Sequence, residues 1–524
     1  MKQRIRLSIC LALGLMSGIA FASGTTTNGP AAVDMLLLDS LGRVVKVPTN
    51  DLSSGLRPAT AAALESQIPN PTAGSSMPPE LLERLRRSAT GFQYFSAAPP
   101  VLMPYLASQD EYGNTAFRPG ALFSFTPMDG ALQTGKYWLS EYGFRYSLQQ
   151  SFTYAGMTDV KQGDNHLAFY TFELKSKWNL YNAPQDGTAG WVSAQVDAKY
   201  GLDAAGDTQS AKSNLGTVTD PTGIWSSGNG FRVPELAWQQ SLRHGEIVVV
   251  AGMVSQRNYI DGNAYADSGR SKFLNSALIH SEVVPLAQNN FGLNLQWQPL
   301  DECYAMICGS MGGTPVANTP WTDFHANYWS VVGEIGYAPE DFLGLGPGVY
   351  RIQPFVAQRT GTLGTSYTVT IPGTTNSTDE TFYSTTNGPV QGGVGFNFQQ
   401  QLGTGSPFGW FGRFGLGGSK VTSGADFQAG TGFVMQGPLQ GPLKHLLFQR
   451  TSHDLLGVGF VWSQPTSVNQ TVYHENEYVL ETVYALQLTP TIKIQPDFQM
   501  IWNPAFNEDT SRAMVFQLQL VMAW

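Results

Sequence analysis

The sequence predicts an all-β protein, a transmembrane antiparallel β-barrel of about sixteen strands behind a short irregular or helical N-terminal periplasmic segment. Three observations predict it: the final residues of the chain, its composition, and a long series of two-faced strand-like runs. The last stretch, Arg512 to Trp524, reads RAMVFQLQLVMAW. Phe516, Leu518, Leu520, Met522 and Trp524 fall on one face of a strand, with Gln517 and Gln519 on the other. A closing barrel strand has this character, because it pairs with the first strand and meets lipid on one side.

Composition agrees. Only 13% of residues are charged, 12% are aromatic, and glycine is abundant at 57 residues. No apolar stretch after residue 22 approaches the ~20 residues of a spanning helix, so a membrane crossing must use strands. At the N-terminus, Lys2, Arg4 and Arg6 precede the apolar run Leu7 to Phe21, and Ala20-Phe21-Ala22 fits a small-x-small cleavage site. Residues 1–22 are therefore expected to be a signal peptide, removed together with Cys10. That removal takes the formal net charge from −9 to −12, which argues against a nucleic-acid partner.

Residues 23–118 are rich in Ala, Pro, Ser and Thr and short on alternation. Pro79 to Leu85 reads as a short helix with proline in its first turn. Met35 to Val47 fits either a small hairpin or a helix. The region is read as a periplasmic extension or a segment entering the barrel, against the simpler alternative of a flexible leader. From residue 119 to 524 the pattern is regular. Tyr170, Phe172, Leu174, Trp178 and Leu180 oppose Thr171, Glu173, Lys175, Lys177 and Asn179. Ahead of them, Glu141 and Arg145 lie opposite Tyr142, Phe144 and Tyr146. Asp197 and Lys199 oppose Val196, Ala198 and Tyr200; Glu481 opposes Leu480; Lys493 and Asp497 oppose Ile492, Ile494 and Phe498. These charged residues are the expected lumen face.

Such runs lie near 121–127, 137–155, 166–182, 190–202, 234–243, 246–255, 289–299, 327–339, 349–359, 388–400, 408–418, 427–437, 454–464, 477–488, 491–502 and 512–524. Sixteen strands enclose a lumen too wide for side chains to fill. Cys303 and Cys308, in CYAMIC, are expected to form a small-loop disulfide in an oxidising compartment, with free thiols or a metal site as alternatives. No histidine is near enough in sequence to complete a zinc set.

Several blocks together resemble the carbohydrate-selective porins of the OprB type. The clearest is Glu235 to Pro299, with a hairpin turn at His244-Gly245, the segment Asn258 to Ala266 and the segment Phe273 to Leu278. The tail LTPTIKIQPDFQMIWNPAFN, Leu488 to Asn507, is similar to the family's closing hairpin. The likeness covers about 400 residues, the whole barrel region, and leaves the leader and the CYAMIC insert unexplained. It implies a monomeric channel in the outer membrane of a Gram-negative cell, passing mono- or oligosaccharides by diffusion, with sugars in transit and membrane lipids as partners and no cofactor. A lumen of mixed sign suits neutral solutes, because its net field is small.

The expected constriction is a loop folded inward after residue 255, carrying Arg257, Tyr259, Asp261, Asn263, Tyr265, Asp267, Arg270, Lys272 and Asn275. Cations there could donate to sugar hydroxyls, carboxylates and amides could accept, and Tyr259 or Tyr265 could stack on a pyranose face. The plainer reading is that these residues anchor the loop to the wall. Asp261, Asn263 and Asp267 fail the EF-hand pattern, since Tyr265 stands where an acid or amide is needed. No G-x-S-x-G or H-E-x-x-H motif marks an enzyme. Glu481 and Asp497 could mimic a glycosidase pair, although Lys493 nearby favours a charge network. A pore for other solutes and an adhesin or phage receptor, using long loops such as 361–389, are the remaining readings.

Overall fold

The computed structural model describes residues 35–38, 44–47, 139, 142–183, 187–223, 230–243, 246–266, 272–287, 290–300, 302–311, 329–358, 360–370, 377–387, 390–403, 406–418, 424–436, 454–466, 472–489 and 491–523. In the first of two units, residues 1–65, β1 (Met35–Leu38) and β2 (Val44–Val47) pair as an antiparallel hairpin. Of the two forms the sequence allowed there, the hairpin is the one adopted. The signal peptide, the helix at Pro79 to Leu85, the run 121–127 and Glu141 all lie outside the described residues.

The second unit, residues 66–524, holds the barrel. Its strands are β3 (Phe144–Met157), β4 (His166–Ala183), β5 (Thr188–Gly201), β6 (Gly230–Leu242), β7 (Ile247–Val254), β8 (Asn290–Trp297), β9 (Cys303–Met311), β10 (Trp329–Tyr337) and β11 (Gly348–Gln358). After these come β14 (Gln391–Gln401), β15 (Phe408–Gly417), β16 (Ala425–Gln436), β17 (Leu455–Pro465), β18 (Glu477–Gln487), β19 (Ile492–Trp502) and β20 (Arg512–Ala523). Every neighbour is antiparallel, and β20 pairs with β3, from Val515 opposite Met157 to Ala523 opposite Gln149. The sheet is closed and has no free edge, so each strand has a hydrogen-bonding neighbour on both sides. Between β11 and β14 the chain forms a separate two-stranded ribbon, β12 (Thr360–Thr370) with β13 (Ser377–Asn387).

The barrel is built from a period-two code. Its outer face carries Leu293, Leu295, Ile307, Ile335, Ile352, Phe433, Phe516 and Leu518, all exposed. An apolar patch of that extent would be a liability in water and is the expected lipid face of a barrel. The inner face carries Gln, Asn, Ser, Thr and charged residues, most of them buried. The long loops 202–229 and 255–289 leave one end of the barrel. The short turns 184–187, 243–246, 298–302 and 488–491 leave the other end.

One expectation is corrected. Cys303 to Met311 is a barrel strand, and both cysteines are free thiols. Five residues along a strand separate Cα atoms by about 17 Å, well beyond the ~7 Å limit for a disulfide, and the odd spacing turns the two side chains to opposite faces. Cys308 is fully buried on the inner side and its carbonyl accepts from Gln256 Nε2 at 3.0 Å. This strand lacked a polar face in the sequence because its inner side is covered by the chain, not by lumen water.

Candidate functional site

Two of the long loops turn inward and line the wall. The first begins with the short helices α1 (Ala204–Thr208) and α2 (Ala211–Leu215), which Asp203 and Ser210 cap at their N-termini. The second begins with a 3-10 turn at Gln256–Asn258 and includes α3 (Ser276–Ile279), capped by Asn275. Their partners are inner-face residues of strands far apart round the barrel, so both loops occupy the interior.

Two glutamates on β18 hold them with the same device. Glu477 accepts the backbone N–H groups of Val218 at 2.8 Å and Thr219 at 3.2 Å. Glu481 accepts those of Leu274 and Asn275, the latter at 2.9 Å. A carboxylate facing two successive N–H groups makes charge-assisted bonds, about twice as strong as neutral ones. The loops also hold each other: Asp220 N–H donates to Ser276 Oγ and Ser276 N–H to the Asp220 carbonyl, both at 2.8 Å.

Asp261 is the hub on the opposite wall. It sits in the left-handed region at φ +67, which aspartate tolerates better than most residues. Its carboxylate accepts from Arg413 Nε of β15 at 3.1 and 3.2 Å, from Asn397 Nδ2 of β14 at 2.6 Å, and from Ser281 N–H at 2.7 Å. Its own N–H donates to Glu334 of β10 at 3.0 Å. Glu334 in turn accepts from Gln353 Nε2 and Tyr304 Oη, each at 2.8 Å, and Arg351 Nε donates to Tyr304 Oη at 2.9 Å. Two acids and two arginines thus neutralise each other in a fully buried network.

Apolar packing completes the attachment. Strands β14 to β17 carry glycines on the inner face where loop side chains press in. A Cβ on Gly457 would lie 2.7 Å from Phe273 Cζ, on Gly459 2.6 Å from Leu278 Cδ1, and on Gly415 2.7 Å from Val283 Cβ. Glycine in these strands serves close approach of a second segment.

The expected constriction residues are therefore distributed as follows. Tyr259, Asp261, Asn263, Tyr265, Lys272 and Asn275 are buried between loop and wall. Asn263 Nδ2 donates to Asn397 Oδ1 at 2.8 Å, Asn275 Nδ2 to Gln499 Oε1 at 3.0 Å, and the ring of Tyr265 covers Gly409. The side-chain polar atoms of Tyr259, Asp261, Asn263 and Asn275 bond to the wall, as the anchoring alternative requires, because a loop with this many polar groups must satisfy them on the protein. Arg257 is exposed, and Asp267 and Arg270 lie outside the described residues. Sequence reading missed Glu334, Arg351 and Arg413, and placed Glu477 on the polar face without a role. Each is a charged residue at inward phase in an otherwise apolar or glycine-rich strand, and that was the available signal.

Arg145, Glu173, Lys175, Lys177, Asp197, Lys199, Glu481, Lys493 and Asp497 all occupy inner-face positions, as the registers of β3 to β5 and β18 to β20 require. On the β3 to β6 wall, Lys175 pairs with Glu173 at 3.9 Å and Arg232 with Asp197 at 2.9 Å, with the cations partly exposed. Lys177 Nζ lies 3.8 Å over the Trp191 ring, and Arg145, opposite Lys177 in register, is exposed. On β18 and β19, Glu481 and Asp497 are buried; both oxygens of Glu481 are committed to the backbone of the second loop, and Asp497 accepts from Gln499 and Gln517.

His280, which ends α3, is held well below the usual imidazole value by burial and by the positive charges of Arg257, Arg413 and Lys212. The unfolded loop therefore binds a proton below about pH 6.5 that the folded loop refuses, and stability is lost as pH falls through that range. Amide hydrogen exchange across 276–286 should accelerate between pH 7 and pH 5 beyond the intrinsic pH dependence, and less so in His280→Gln. Equal behaviour of the two proteins would remove His280 as the cause.

A closed sixteen-stranded barrel with an apolar exterior and a polar interior narrowed by inward loops is a transmembrane channel of the porin class. The profile of the carbohydrate-selective porin, OprB family matches residues 187–522, more than half of the chain, and the chain belongs to that family. It is a carbohydrate-selective channel. The Pseudomonas putida OprB structure obtained at high pH aligns with a TM-score of 0.57 at 14% identity, covering 77% of this chain and 100% of that one. The low-pH structure of the same protein aligns with a TM-score of 0.44 at 14% identity, over 76% and 98%. A mutant of Rh. blastica porin aligns with a TM-score of 0.37 at 8% identity, over 73% and 100%. No curated protein matches the chain.

Proposed function

We propose that this channel lies in the outer membrane of a Gram-negative cell, works as a monomer, and passes mono- or oligosaccharides to the periplasm by passive diffusion. The observation that carries the reading is the β3 to β6 wall, where unlike charges are paired at the lumen surface beside Trp191. Such a surface offers many donors and acceptors, with its acids paired to partly exposed cations. A sugar can exchange its water for weak, reversible hydrogen bonds, and it leaves as easily as it enters. The second inward loop sets the width of the path. Arg145 and Arg257 then touch the solute, and the buried residues Tyr259, Asp261, Asn263, Tyr265, Lys272 and Asn275 position the loop. Asp267 and Arg270 belong to the same constriction.

Single-channel conductance in a planar bilayer, with neutral sugars titrated in, tests this. Ion current should fall saturably with sugar, and Arg145→Ala should weaken the block about tenfold, the loss of one charge-assisted contact. Current that no sugar reduces would leave a general pore.

A further inference from the structure

Beside the closing seam, four inner-face side chains form a two-by-two block. Gln495 and Asp497 of β19 stand opposite Gln519 and Gln517 of β20, respectively. All four are at least nine-tenths buried. The amide nitrogens are committed: Gln495 Nε2 donates to the Lys272 carbonyl at 2.5 Å, Gln517 Nε2 to the Pro221 carbonyl at 2.9 Å and to Asp497 Oδ1 at 3.1 Å, and Gln519 Nε2 to Thr153 Oγ1 at 3.1 Å. A carbonyl can only accept, so the orientations of Gln495 and Gln517 are set by their partners. What remains is Oε1 of Gln495, Gln517 and Gln519 and Oδ2 of Asp497, and none of these accepts from an amide or hydroxyl of the described residues.

The leftover atoms are all oxygens. Elsewhere on the wall, Asn290, Asn294 and Gln296 leave nitrogen and oxygen alike without protein partners, the mixture that internal water serves. The β19–β20 block also has a charge to balance. Glu481 of β18 and Asp497 of β19 lie diagonally on adjacent strands and are hydrogen-bonded to each other, and no ion pair found among the described residues joins either to a lysine or arginine. Two adjacent buried carboxylates call for a positive charge or a shared proton. Neighbours in such a block stand about 5 Å apart across strands and about 7 Å along one, within reach of a single ion.

We infer that this block binds a hard cation of the calcium class, through Asp497 Oδ2 and the amide oxygens of Gln495, Gln517 and Gln519. Calcium takes six to eight oxygens from carboxylates, amide carbonyls and water. The consequence is mechanical. The same amides hold Lys272 of the second loop and Pro221 of the first, so a bound cation fixes the side chains that tie both loops to the wall. The inference rests on the wall geometry and is independent of which solute the channel passes.

Equilibrium binding of calcium-45 to the detergent-purified full-length protein tests it. One calcium per barrel is expected, with Gln519→Leu binding about tenfold more weakly or worse and Gln296→Leu binding as the parent does. Heat-modifiable gel mobility reports whether each variant is folded, and Asp497→Asn carries the test if Gln519→Leu is not. Calcium should raise the unfolding temperature of the parent and leave that of the weakened variant unchanged. No binding at millimolar calcium would overturn the site, leaving the carboxylates to share a proton and the glutamines to bind water. Equal binding by parent and variants would overturn it too, by placing calcium elsewhere.

Discussion

Replacing Asp261 with alanine should destabilise the attachment of the second inward loop by about 3–5 kcal/mol, the cost of leaving a buried charge without its partner. The stranded charge is Arg413, which is almost fully buried and has its ion pair with Asp261 at 3.1 Å. The substitution also removes the acceptor of Ser281 N–H and the nearest of the acceptors of Asn397 Nδ2, and places alanine at φ +67. Asp261→Asn should cost less, because Oδ1 still accepts while the charge is lost. The barrel strands do not depend on this contact, so the effect should be local. Single-channel conductance should rise and fluctuate, and hydrogen exchange across 261–287 should accelerate while strand amides stay protected. Unchanged conductance with unchanged exchange would show that the loop does not depend on Asp261.

Phe273→Ala should be comparably severe, at about 3–5 kcal/mol, the usual cost of removing a fully buried phenylalanine. Its ring sits 5.2 Å from that of Phe411 and fills the space left by Gly457 and Gly459. A wall with no side chain at those two positions cannot collapse into the cavity, which puts the cost at the upper end. Gly457→Val tests the same contact from the wall side. Its methyl groups would compete with the ring, and overpacking of this kind costs about 1–3 kcal/mol. Both variants should loosen the loop and raise conductance. If the unfolding temperature and conductance of Phe273→Ala matched the parent's, the glycine seat would have no role.

The barrel was legible because its rule is local. Lipid on one face and polar contacts on the other impose a period of two. Fifteen of the sixteen expected runs coincide with strands in the structure, from 137–155, which contains the start of β3, to 512–524. The miss follows from the same rule. The inner face of Cys303 to Met311, Tyr304, Met306, Cys308 and Ser310, alternates only weakly because it meets Gln256 and its neighbours in the loop, and the two cysteines suggested a loop instead. The run 121–127 lies outside the described residues. The inward loop was legible as a segment, Arg257 to Asn275, but the roles of its residues were not. A buried anchor and an exposed contact use the same residue types.

From the sequence alone came the strand code, the closing strand, the size of the barrel and the charged residues of its inner face, because each depends on residues adjacent in the chain or two apart. Only the tertiary structure decided which inner-face residues meet the lumen and which lie beneath a loop. Asp261 with Arg413 and Glu334, Glu481 with Leu274, and Gln495 with Gln519 are partners across about 150, 70, 210 and 20 residues of chain. Closure of the barrel brings these groups together, and a buried polar group takes whichever partner the curved wall sets in front of it.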